Sequence, residues 1–108
     1  MATITVSYDG VKLLLSDNGH TNASKSEQIH WHPGRGVKSV TDVTVKPNSP
    51  VSTARFWSKA PHQNGVNFKG TISSDVAGIW EYDITCDVGT NENRILVTED
   101  PKIQVFSR

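Results

Sequence analysis

The stretch Gly78-Ile79-Trp80-Glu81-Tyr82-Asp83-Ile84-Thr85-Cys86-Asp87-Val88 decides how this chain folds. From Trp80 onward every second residue is apolar and the residues between are polar, the period-2 pattern of a strand with one face in a core and one in water. Trp80, Tyr82, Ile84, Cys86 and Val88 are expected on the inner face, and Glu81, Asp83, Thr85 and Asp87 on the outer. Such a strand belongs in the middle of a β-sandwich. It carries no catalytic or cofactor motif.

The rest of the 108-residue chain repeats this pattern in shorter pieces. Ile4, Val6 and Tyr8 alternate with polar residues, and Val11, Leu13 and Leu15 resume the alternation after Asp9-Gly10. That dipeptide suits the positive φ angles of a type I′ turn, so residues 2–16 are expected to form a hairpin. Residues 16–27 are polar and aperiodic, with Asn18-Gly19 as a turn signal, and read as an exposed loop. Residues 28–32 read as a short strand with Ile29 and Trp31 inward, ended by Pro33-Gly34-Arg35-Gly36. Further strands are expected at 40–46, stopped by Pro47-Asn48-Ser49-Pro50, at 55–59, at 66–72 after a turn over 61–65, and at 94–97 and 102–106, parted by Asp100-Pro101. About seven to nine short strands with no helical periodicity point to an all-β fold, a single-domain β-sandwich with Greek-key wiring.

Composition narrows the function classes. Eleven Lys and Arg balance eleven Asp and Glu. Binding nucleic acid or an anionic membrane calls for a clustered excess of cations, so neither is an expected partner. The one cysteine, Cys86, has no intramolecular partner and, on the inner face of its strand, behaves as a small hydrophobe. The longest apolar run, residues 11–15, is too short to span a bilayer, and no apolar leader segment follows Met1. The chain is expected to be cytoplasmic, or exported with a leader trimmed away.

Gly78, then Tyr82 with Cys86 four residues on, then a turn and the closing strand Lys102-Ile103-Gln104-Val105, resembles the late strands of the cupredoxin family over roughly the last thirty residues. An immunoglobulin-like sandwich fits the same pattern, without the paired cysteines of that fold. The cupredoxin resemblance implies a copper site built from a cysteine thiolate, a histidine a few residues later, an earlier histidine and often a methionine. Cys86 occupies the cysteine position, but residues 87–93 contain no histidine and Met1 is the only methionine. The resemblance therefore implies the scaffold and not its copper chemistry.

Several residue groups can carry chemistry. His30-Trp31-His32 places two imidazoles on one face of an edge strand, and with His62 or Cys86 they form the candidate transition-metal set. Phe56 and Trp57 are adjacent on what reads as a strand, so one of them faces outward, where an aromatic can stack on a sugar ring or anchor a partner protein. Arg35 and Lys38 follow two glycines, but no helix follows them to make a phosphate loop. Glu81, Asp83 and Asp87 share a face, and residues two apart on it, such as Glu81 and Asp83, stand roughly 7 Å apart, a carboxylate spacing seen in sugar hydrolases. Asn22-Ala23-Ser24 matches a glycosylation sequon.

The reading that follows is a non-enzymatic binding or interaction module for a protein or carbohydrate partner. Recognition would lie in loops 16–27, 33–38 and 56–65, with Trp57, Phe56 and Arg35 on the binding surface and no cofactor. The alternative is a copper- or zinc-binding protein using His30, His32, His62 and Cys86. Third comes an enzyme acting on a small molecule or carbohydrate.

Overall fold

The computed structural model describes residues 2–46, 56–90 and 92–106. Ten strands appear among them: β1 (Ala2–Tyr8), β2 (Leu13–Leu15), β3 (His20–Ser24), β4 (Gln28–Pro33), β5 (Ser39–Val45), β6 (Trp57–Asn64), β7 (Asn67–Ile72), β8 (Gly78–Asp87), β9 (Leu96–Glu99) and β10 (Lys102–Phe106). The first sheet has the order β2-β1-β4-β7-β6, and the second β3-β10-β8-β5 with β9 also on β8. The result is an all-β sandwich. Both sheets are mixed, because β1 runs parallel to β4 and β3 runs parallel to β10.

Strand β8 is the axis of the second sheet, as its alternation implies. Trp80, Tyr82, Ile84 and Cys86 are buried. Its register with the chain that follows is unbroken, from Gly78 opposite Val105 through Glu81 opposite Lys102 to Asp87 opposite Leu96. Hydrogen bonds from Val88 N–H to the Ile95 carbonyl and from Thr90 N–H to the Asn93 carbonyl carry the ladder to its turn. Strands β8, β9 and β10 are thus one long hairpin. Asp100-Pro101 interrupts only its outer arm, and the Pro101 carbonyl still accepts from Tyr82 N–H at 3.0 Å.

Facing this layer, the first sheet buries Ile4, Val6, Ile29, Trp31, Phe68 and Ile72. Trp31 and Tyr82 join the two layers: their rings meet edge-on at 5.7 Å and the Trp31 indole N–H donates to the Tyr82 hydroxyl at 3.1 Å. Burying two polar tips together satisfies the donor that an apolar core would otherwise strand.

Four expectations are corrected. Residues 16–27 are not all loop, since β3 lies within them and pairs with β10. Its inward positions are Thr21 and Ala23, too polar and small to register as a hydrophobic alternation, and Thr21 is tolerated because its hydroxyl donates to the Asp17 carboxylate. The β1–β2 hairpin forms, but over a four-residue connection, with Tyr8 opposite Leu13. Asp9 closes it by accepting from Val11 and Lys12 N–H, and Val11 is left exposed. Residues 61–64, read as turn, continue β6 as an edge strand whose register shifts between Lys59 and His62, which lets Pro61 sit where no ladder donor is needed. Last, Asp87 is buried, and Val88, expected inside, is only partly so and lies beyond the strand. The Pro47–Pro50 stop and Arg55 lie outside the described residues.

Candidate functional site

Three of the four histidines, His30, His32 and His62, stand on the outer face of the first sheet, and His20 is on β3 of the second. His30 and His32 alternate with buried Ile29 and Trp31 on β4, which lies between β1 and β7 and is an interior strand, not an edge. One ring nitrogen of each is engaged: His30 Nε2 with Gln28 Oε1 at 3.1 Å, and His32 Nδ1 with Asn67 Oδ1 at 2.9 Å. Lys69 pairs with His30 on one side and with His62 on the other. Lys69 therefore stands between these two histidines in the sheet. Cys86 belongs to the other sheet and faces the core with no exposed surface, and burial pushes its thiol up to about 12. The fold does not bring the four candidate ligands together, and among the described residues no group of three His, Cys, Asp or Glu is placed to hold a metal ion.

The aromatic pair is placed differently from the expectation. Phe56 is fully buried and is corrected from surface to core. It lies in the turn that precedes β6 rather than on the strand, so it and Trp57 need not point to opposite sides. Phe56 meets Trp80 at 5.0 Å and Trp57 at 4.6 Å, and Trp57 meets Trp31 at 6.1 Å, all edge-on. Trp57 is partly buried against the core. Arg35 is exposed in a connection tied to β1, where Tyr8 N–H donates to the Arg35 carbonyl and Gly34 N–H to the Val6 carbonyl.

The carboxylates of β8 divide into two groups. Glu81 is exposed and Asp83 half-buried, and they share Lys46 with Asp100, at 3.9, 3.5 and 3.2 Å. Asp87 turns inward at the mouth of the long hairpin and accepts from Gly89 N–H at 3.0 Å and Ile95 N–H at 3.4 Å, with Arg94 at 3.9 Å. Those backbone donors hold its carboxyl below the ordinary range. It is a structural cap for the turn and not a partner for Asp83.

One concave feature among the described residues was not anticipated. A cleft of about 730 Å³ opens between β2 and the junction of β9 with β10, bordered by Leu13–Leu15, by the Asn18-Gly19 crossover, and by Glu99 to Lys102. Its volume lies within the usual range for ligand sites. The cleft lies where the chain leaves the first sheet after β2 and enters the second at β3. No strand among the described residues pairs with the outer side of β2 or of β9. Leu14 is 43% exposed there. Of the sequence signals, only Asn18-Gly19 in residues 16–27 pointed toward this place. Scans against protein-family models and a search of curated proteins return no match for this chain.

Proposed function

We propose that the protein is a binding module that receives an extended segment of a partner protein in the cleft between β2 and β9. The observation that carries this reading is the cleft itself, flanked by two strand edges that no described strand pairs with and by an exposed leucine. A peptide added to such an edge gains main-chain hydrogen bonds for affinity, while alternate side chains enter the cleft for specificity. Leu13–Leu15 supply apolar contact, and Lys12, His20, Glu99 and Lys102 a mixed-charge rim.

The test is selection of a displayed library of random nine-residue peptides on the intact chain. Enriched clones should carry an apolar residue at every second position, lose binding at least tenfold against Leu14→Lys, and bind Lys69→Glu unchanged. Failure to enrich any clone, or clones indifferent to Leu14→Lys, would reject the reading.

A second reading, metal binding on a cupredoxin-like scaffold, has two supports. An immunoglobulin-like sandwich consists of two antiparallel sheets, so the parallel pairs β1 with β4 and β3 with β10 favour the cupredoxin-like alternative. In addition, Gln28 and Asn67 fix one nitrogen of each imidazole on β4 and leave the other available, as outer partners do for metal-bound histidines. Copper(II) or zinc at a hundredfold excess over its dissociation constant should raise stability by about 2.7 kcal/mol. No thermal shift with either ion, or an equal shift in His32→Ala, rejects this second reading.

A further inference from the structure

The chain is neutral as a whole, yet its charge is divided between the two layers. Strands β1, β2, β4, β6 and β7 of the first sheet contain no Asp or Glu, and their charged or chargeable groups are Lys59, Lys69, His30, His32 and His62, with only Tyr8 besides. Strands of the second sheet contain Asp42, Glu81, Asp83, Asp87 and Glu99, against Lys102 and His20. On the outer face of that sheet Glu81, Asp83 and Asp100 share Lys46, Lys102 stands opposite Glu81, and Asp42 is exposed beside them, while Asp87 turns inward and Glu99 pairs with the core residue Ile84, so four carboxylates face two ammonium groups. Neither face shows what covers it in one molecule, but each supplies what the other lacks.

We infer that two copies of this chain associate front to back, the outer face of the first sheet of one against the outer face of the second sheet of the next. Charge complementarity is the first argument. Like-charge contact is avoided only in this arrangement, because first sheet on first sheet opposes lysines and second on second opposes carboxylates. Area is the second. The molecule measures 43 × 23 × 22 Å, so a sandwich face offers roughly 1000 Å², against the about 800 Å² per partner of a standard interface. Because the two surfaces differ, the contact is heterologous and repeats along a row of copies.

The groups brought face to face are Lys59 and Lys69, with His30, His32 and His62 beside them, on one side, and Asp42, Glu81, Asp83 and Asp100, with Lys46, Lys102 and His20 among them, on the other. The contact is electrostatic and wet, so salt screens it.

The experiment is sedimentation velocity of the full chain at 0.5 mM and low salt. The average mass should exceed that of the monomer and return to it in 0.5 M NaCl. Lys69→Glu spoils one face and Asp83→Lys the other, and each alone should remain monomeric. Mixed in equal amounts they should associate again, because the unaltered first face of one variant meets the unaltered second face of the other. Lys59→Glu with Asp42→Lys gives the same prediction should either first variant fail to fold. A monomeric wild type at low salt, assembly that persists in the single variants, or a mixture that stays monomeric would overturn the inference.

Discussion

At the scale of the residue, side-chain direction on β8 sets consequences that differ sharply between neighbours. Ile84 is fully buried, while Asp83 stands in the solvent-facing group around Lys46. Ile84→Asp places an unpaired charge in the core and should abolish the cooperative unfolding transition. Asp83→Ser should change stability by less than ~0.5 kcal/mol, as exposed ion pairs contribute little. Urea titrations of the two variants decide it, and equal effects would mean that the register of β8 is wrong. Cys86 supplies a second prediction. Burial holds its thiol neutral in the folded state up to about pH 12, whereas an unfolded thiol ionises near pH 8.5. The unfolded state therefore releases its proton first, and stability falls as pH rises through that window. Between pH 9 and 10.5 wild type should lose on the order of 1 kcal/mol per pH unit more than Cys86→Ala, measured by urea denaturation. These directions were legible in the sequence because period-2 alternation reports the face of a strand without reference to its neighbours.

At the scale of the element, connections depend on what they touch. Gly36 has φ +81° and a Cβ built there would lie 2.7 Å from the Tyr8 carbonyl oxygen, so the 33–38 connection can lie against β1 only with glycine at that point. Gly65, in the β6–β7 turn, has φ +69° but open space around it. Gly36→Ala should cost about 2–3 kcal/mol, combining backbone strain with a clash, and Gly65→Ala about 1 kcal/mol from the left-handed conformation alone. Thermal denaturation should rank them in that order. The sequence marked both as turns through Gly and Pro punctuation, but nothing local distinguishes a glycine that needs only a dihedral from one that another strand presses against. The same blindness hid β3, whose pairing with β10 spans about eighty residues of sequence. It also hid the burial of Phe56, whose position in a turn before β6 depends on where Trp80 lies.

At the scale of the whole molecule, the two layers are coupled through Trp31 and Tyr82. Tyr82→Phe keeps the ring and removes the oxygen, leaving the Trp31 indole N–H without its acceptor in the core. A loss of about 1–3 kcal/mol is expected in urea denaturation, with the fold retained. Loss of less than half a kcal/mol would show that the donor finds another partner. The candidate sites are also properties of this scale. The cleft appears because one segment changes sheets, and the division of charge appears because strands distant in sequence share a layer.

By itself the sequence determined that the chain is all-β, which residues of its long strand face inward, that Cys86 lies in the core, and that the copper ligand set of the cupredoxin family is absent. Each of these follows from residue type and period along one strand, where geometry is local. Only the tertiary structure decided that β4 is interior, that Asp87 caps a turn, that Phe56 is buried, that β2 and β9 flank a cleft, and that acidic and basic strands sort into opposite faces. Those depend on which strands become neighbours, and hydrophobic alternation says which side of a strand is buried but not which strand lies beside it.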